Sequence, residues 1–182
     1  MKLLVPSLTE LPAYADALKR GWSPDNIRLE VAAREELARI AADPVAFVAS
    51  LDDPEARGGP ITLPNGSTVP RLPGFRRWMW DGEFCGSVSF RWQKGTTDLP
   101  PHVLGHAGYA VVPWKRGRGY ATKALALLLP LARAQGLAYL ELTTDPDNLV
   151  SQKVIMASGG SLIERFRASA YGKDELRFRI PL

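Results

Sequence analysis

"VPWKRGRGYATKAL", residues 112–125, is the stretch on which the fold turns. It sets Lys115, Arg116, Arg118 and Lys123 around Gly117 and Gly119, where a β-rich segment gives way to a helical one. A strand leading into a glycine turn and then a helix is an anion site on physical grounds. The first amides of a helix have no partner inside it, and the macrodipole adds roughly half a positive charge at that end. Glycine lets a phosphate approach the backbone, and flanking Arg and Lys add charge. Two well-known phosphate loops are excluded. No Lys-Ser/Thr follows the second glycine at P-loop spacing, and in "GRGYAT" Thr122 stands where the dinucleotide fingerprint needs its third glycine.

The chain has 182 residues, a length that fits a single domain. At 46% hydrophobic and 23% charged it can bury a core and keep a polar surface. "ALALLLPLA" (124–132) is too short for a membrane span and is broken by Pro130. "MKLLVPSLTELPAY" has no sustained apolar run with a cleavage site, so no signal peptide is expected. Cys85 is the only cysteine, which excludes an intrachain disulfide. With only His102 and His106 beside it, a zinc site is poorly supported, and no metal is expected. A reducing, cytoplasmic setting follows as the default. The net charge is +4 and the pI about 9.4. The cations are mostly mixed with acids and lack interleaved aromatics, so nucleic acid and membrane partners are not expected. The focal excess at 115–123 suits a small polyphosphate better than a long polyanion.

"KLLVPS" (2–7) reads as a strand, and Leu11, Tyr14, Leu18 and Trp22 recur at helical spacing, with Thr9 as the cap. Residues 26–51 read as one or two amphipathic helices, the second starting at Asp43-Pro44. The Pro/Gly-rich segment 52–75 is long for a connector, and Asn65-Gly66 suggests a small ribbon within it. It is either a solvated insertion or a lid over a substrate site. "RRWMWDGEFCGSVSFRW" (76–92) reads as a hairpin with a type I′ turn at Asp81-Gly82. A strand at 105–112 precedes a helix from Gly119 to Gln135 that ends at Gly136. That helix is apolar almost all round, which predicts burial on more than one side, and Pro130 should kink it. A strand (137–145), a short helix (148–160) and two closing strands complete a mixed α/β sheet of about seven strands.

These residues resemble a known family. Arg116-Gly117-Arg118-Gly119-Tyr120-Ala121 is similar to the acetyl-CoA signature of the GNAT superfamily of N-acetyltransferases. "DNLVSQKVIMASGG" (147–160) resembles that family's Asn-x-x-Ser helix, and "GHAGYAVVP" its fourth strand. The likeness covers residues 76–182 well and residues 1–75 only in the order of elements. It implies the acyl-CoA N-acyltransferase fold in one domain, with 76–182 as the acetyl-CoA core and 1–75 on the acceptor side. The implied reaction moves an acetyl group from acetyl-CoA to a primary amine, on a small molecule or a peptide, in a ternary complex.

By the same resemblance, amides from Gly117 to Thr122, including Tyr120 and Ala121, would hold the CoA pyrophosphate, with Arg116 and Arg118 in support. Val111 and Val112 would offer backbone groups to the pantetheine arm, and the Val111 amide would serve as oxyanion donor. Asn148 would reach the cofactor's amide arm, and Ser151 would sit near the thioester and act as acid. The departures are as informative. The fourth strand lacks the family's acidic base, which leaves His106 as the base candidate or as a structural residue. The family's tyrosine acid is replaced by Ile155, and a tyrosine there would be expected to restore the function partly. A non-catalytic acyl-CoA-binding module of the same fold is the alternative, and a homodimer is left open.

Overall fold

A computed structural model describes residues 1–63, 66–168 and 172–182 of the chain. The N-terminal part runs β1 (Lys2–Leu4), α1 (Leu11–Lys19), α2 (Leu29–Ala42) and α3 (Pro44–Ala49). Leu11, Tyr14, Leu18 and Trp22 are all buried, as their spacing predicts. Thr9 does not cap α1. Glu10 holds the cap position without a side-chain bond, and the Thr9 amide turns back to the Ser7 hydroxyl at 3.1 Å. Helix α3 does start at Asp43-Pro44: Asp43 Oδ1 accepts the Ala46 N–H at 2.9 Å, and proline in the first turn gives up a donor that has no helical partner anyway.

The segment 52–75 carries three two-residue strands, β2 (Asp52–Asp53), β3 (Ile61–Thr62) and β4 (Thr68–Val69). β3 and β4 form the expected ribbon, with Ile61 opposite Val69 and Thr62 opposite Thr68. Asn65 lies outside the described residues. The hairpin follows as β5 (Gly74–Trp80) and β6 (Phe84–Arg91). Its turn is not type I′. Trp80 pairs with Phe84 beside a bulge, and of the loop residues only Gly82 is left-handed, at φ +117°. A type I′ turn needs two such residues; Asp81 instead turns its carboxylate toward Lys115 and Tyr120.

The chain continues through β7 (Ala107–Val111), a 3₁₀ turn (Pro113–Lys115), α4 (Tyr120–Ala134), β8 (Tyr139–Thr144), α5 (Leu149–Ala157), β9 (Ser161–Ala168) and β10 (Lys173–Pro181). One sheet has the order β1-β5-β6-β7, with β2 also on β5; the other has β8-β10-β9. β7 and β8 are not paired as strands. They meet at one end, where the His106 N–H donates to the Glu141 carbonyl at 2.8 Å.

Because strand side chains alternate, Trp78 and Met79 on β5 enter different cores. Trp78 joins an aromatic cluster under α1–α3, stacked on Tyr14 with ring centroids 4.9 Å apart. Met79 joins the core under α4 and α5, with Leu125, Leu128, Leu140, Leu142, Ile155 and Phe178. Each fully buried Leu or Ile there stabilises the fold by about 1.5–3 kcal/mol. Helix α4 departs from expectation. Ala124, Leu125, Leu128 and Ala132 are buried, but Leu127 and Leu131 are each 40% exposed. The helix is covered on one face only, and its apolar outer face meets solvent. It continues through Pro130 to Ala134 without a break.

Candidate active site

Residues 112–125 fold as their residue types demand. Gly117 and Gly119 are both left-handed, at φ +76° and +72°, and a Cβ on either would meet nothing within 4 Å. No side chain caps α4 at Gly119. The first-turn amides therefore face an open surface without a helical acceptor, as an anion site requires. Arg118 and Lys123 are exposed beside them, and Tyr120, Ala121 and Thr122 form the half-buried first turn. Lys115 does not join this cluster. It is 8% exposed, and its ammonium sits 2.8 Å from Glu83 and 3.1 Å from Asp81. Hydrogen bonds to Glu83 and Asp81 push its pKa up to about 12. The hydrogen bond from Tyr120, with those from Lys115, holds Asp81 well below the usual carboxylate range.

The edge of β7 that faces β8 has no strand partner, and its backbone groups alternate in direction. The Tyr109 carbonyl accepts from Asn26 Nδ2 at 3.3 Å, and the Val111 carbonyl from Arg116 Nε at 3.3 Å. Both residues therefore point away from β6, and the Val111 N–H lies on the same open edge. Val112 does not. Its amide donates to the Cys85 carbonyl and its carbonyl accepts from the Lys115 amide, both at 3.0 Å, and its side chain is fully buried. Of the two valines expected to offer backbone groups, only Val111 has them on the edge; the chain turns inward after it to enter the 3₁₀ turn. Arg116, expected beside a phosphate, has its Nε on the Val111 carbonyl.

On the other side of the opening, Asn148 caps α5 by accepting the Ser151 N–H at 3.1 Å. This occupies its carbonyl oxygen and leaves its amide NH₂ as donor. Ser151 Oγ lies 2.8 Å from the Tyr109 hydroxyl, so β7 and α5 meet through two hydroxyls. Burial raises the Tyr109 pKa, against the opposing effect of the bond to Ser151, so the phenol keeps its proton. No local pattern in the sequence points to Tyr109, because its partner is 42 residues away. Ile155 is fully buried in the core between α5 and the sheet. A tyrosine there would press into packed side chains, so Ile155→Tyr cannot restore the missing acid as the resemblance implies.

His106 is fully buried and occupied at both nitrogens. Nδ1 accepts the Glu141 N–H at 2.9 Å, and Nε2 lies 2.8 Å from the Thr97 carbonyl, to which it donates. Burial lowers its pKa below the ordinary value, against the Thr97 bond and the Glu141 charge. In this geometry neither nitrogen is free to take a proton from a bound amine. His102 instead borders a cavity of about 610 Å³. That cavity touches Tyr109, Asn148 and Ser151 on one side and Ile61, Val69 and Arg71 of the 52–75 segment on the other. Glu175 on β10 also borders it. Only 3% exposed, Glu175 has one oxygen 2.9 Å from the Lys173 ammonium and the other without a hydrogen-bond partner among the described residues. Among the described residues no group of His, Cys, Asp and Glu could hold a metal ion, and no helix is long and apolar enough to cross a membrane.

Comparison with known proteins bears on this arrangement. The family model for the acetyltransferase (GNAT) domain matches residues 28–161. No curated protein sequence matches the chain. The microcin self-immunity acetyltransferase MccE, solved with acetyl-CoA and AMP, is similar in structure at TM-score 0.63 and 12% identity, over 99% of this chain and 91% of its own. RimJ from Mycobacterium smegmatis, solved with a CoA disulfide, gives TM-score 0.63 at 18% identity, over 99% and 84%. The ribosomal alpha-N-protein acetyltransferase RimL, solved with coenzyme A, gives 0.61 at 13%, over 99% and 93%. At these identities the likeness is one of fold.

Proposed function

The chain belongs to the GNAT acetyltransferase family, and from that premise we propose that it transfers the acetyl group of acetyl-CoA to a primary amine within one ternary complex. The observation that carries the reading is the open edge of β7, which leads directly into the uncapped, left-handed glycine turn at 117–119. An extended ligand with a pyrophosphate at one end fits that combination. Its phosphates would take the amides of Gly117 to Thr122, with Arg116 and Arg118 alongside. Its amide arm would lie along the Val111 edge and against the free NH₂ of Asn148.

The chemistry follows from what then lies at the thioester. The neutral amine attacks the carbonyl carbon; a C–N bond forms and the C–S bond breaks. The oxyanion accepts a hydrogen bond from the Val111 N–H. The amine's proton passes to water in the cavity, whose most buried carboxylate is Glu175. The leaving thiolate takes a proton from the Ser151 hydroxyl, Ser151 recovers it from the Tyr109 phenol that orients it, and the phenol recovers its own from the cavity water that received the amine's proton. A thiol pKa of about 8.5 already makes the thiolate a tolerable leaving group, so this acid contributes only modestly. Alignment of two bound substrates supplies much of the rate. His106 is assigned to holding β7 against β8, and not to the base. The whole chain is read as one unit, with 52–75 and the α1–α2 loop shaping the acceptor side.

The test is release of free CoA thiol from acetyl-CoA, scored against polyamines, aminoglycosides, amino acids and peptide N-termini. Amine-dependent release is the expected result. A protein that binds CoA and turns over none of these amines would favour the non-catalytic acyl-CoA module.

A further inference from the structure

The turn at 116–119 presents a physical problem. Two of its residues are left-handed glycines with open space around them, and no side chain caps the helix that follows. Arg116 is tied back to the Pro113 and Val111 carbonyls, both at 3.3 Å, but those bonds stop short of the two glycines, and an anion site works best when its amides are already aimed. The constraint comes from a different part of the chain. Asp81, at the tip of the β5–β6 loop, receives the Lys115 ammonium on both oxygens at 3.1 Å and the Tyr120 hydroxyl on Oδ2. Lys115 is the residue before the turn and Tyr120 the first residue after it. Glu83, from the same loop, adds a contact of 2.8 Å to Lys115.

We propose that Asp81 is a positioning residue for cofactor binding, a clamp that holds both ends of the phosphate turn through Lys115 and Tyr120. The inference rests on the reading of 117–122 as the pyrophosphate site. It accounts for three facts together: a cation in the basic cluster is buried and neutralised, a tyrosine at the helix start reaches back across the turn, and the hairpin loop departs from the type I′ geometry that "DG" favours. Asp81 is itself an anion close to where an anionic ligand would bind. By charge alone its removal should strengthen CoA binding; as a clamp its removal should weaken it. The two explanations differ in sign.

The experiment is calorimetric titration of CoA into wild-type protein, Asp81→Ala, Asp81→Asn, Tyr120→Phe and the Asp81→Ala/Tyr120→Phe double variant, with melting curves for each. Asp81→Ala is expected to bind CoA about tenfold more weakly, the loss of one or two charge-assisted bonds that order the turn. Asp81→Asn keeps acceptor oxygen and shape and should recover most of that loss. Tyr120→Phe should weaken binding about threefold with little change in melting temperature, and should add nothing on top of Asp81→Ala if its hydroxyl acts through Asp81. Asp81→Ala binding CoA as tightly as wild type, or more tightly, would overturn the clamp. Should Asp81→Ala fail to fold, unchanged affinity in folded Tyr120→Phe overturns it equally. Wild-type protein that does not bind CoA would instead overturn the cofactor reading beneath it.

Discussion

Gly119 and Gly136 stand at the two ends of α4 in nearly the same conformation, at φ +72° and +78°, and a Cβ on either meets no atom within 4 Å. Alanine at either position therefore brings backbone strain and no clash. A left-handed non-glycine residue costs roughly 1–2 kcal/mol. For a chain of this size that is a fall in melting temperature of about 2–8 °C, at about 2–4 °C per kcal/mol. The two variants should lose similar stability, and they should differ in CoA binding. On the proposed reading, the methyl group at Gly119 sits where a phosphate would approach the amides. Losing one charge-assisted bond of about 1.5–3 kcal/mol weakens affinity at least tenfold, and losing two weakens it more than a hundredfold. Gly119→Val should bind no measurable CoA while remaining folded. Gly136→Ala should bind CoA as wild type does. Scanning calorimetry supplies the stability, and titration calorimetry with CoA the affinity. A folded Gly119→Val protein with wild-type affinity would refute the assignment of the turn.

Ser151→Ala and Tyr109→Phe should each lower kcat about tenfold to a few hundredfold with little change in KM for acetyl-CoA, and the double variant should be no worse than the more damaging single one; a change confined to KM would make Ser151 a binding residue. Ile155→Tyr should give no rescue and should destabilise the protein by about 1–3 kcal/mol through overpacking, read from denaturant midpoints. Shortening 58–70 should raise KM for the acceptor and leave CoA affinity nearly unchanged, because that segment borders the cavity and not the glycine turn; the reverse pattern would count against a role on the acceptor side. His106 predicts a pH effect on stability. Burial lowers its folded pKa, so as pH falls the unfolded chain takes up the proton first. Stability should therefore decline as pH falls through and below the ordinary histidine range of about 6.5, and His106→Gln should flatten that decline in melting temperature.

What could be read from the sequence follows the range of the forces involved. The glycine turn, the Asn148 cap, the Asp43-Pro44 start and the end of α4 at Gly136 are set by neighbouring residues, so a few letters suffice to place them. The hydroxyl pair Tyr109–Ser151 and the ion pair Asp81–Lys115 join residues 42 and 34 positions apart, and no local pattern announces them. Lys115 illustrates the limit: its letter adds to a basic cluster, but its surroundings remove it. The apolar sequence of α4 misled for a related reason. Hydrophobicity all round a helix predicts neighbours on several sides, yet the described residues cover only one, and Leu127 and Leu131 remain half-exposed. His106 could be recognised as one of only two histidines; that both its nitrogens would be engaged depends on a carbonyl from the 92–105 loop and an amide from β8.

The parting of β7 from β8 also bears on how the molecule avoids its own kind. An unpaired strand edge is a template on which other chains can align, and proteins usually blunt such edges with charge, bulges or a covering element. Here two inner edges face each other across a slot that is closed at the His106–Glu141 end. A strand from another molecule would have to enter endwise, with its own side chains, between two sheets already joined at the base. A slender chain without side branches meets no such obstacle. The slot can thus keep a backbone donor such as the Val111 N–H accessible to a small extended molecule while denying it to polypeptide, so an exposed edge need not become a site of self-association.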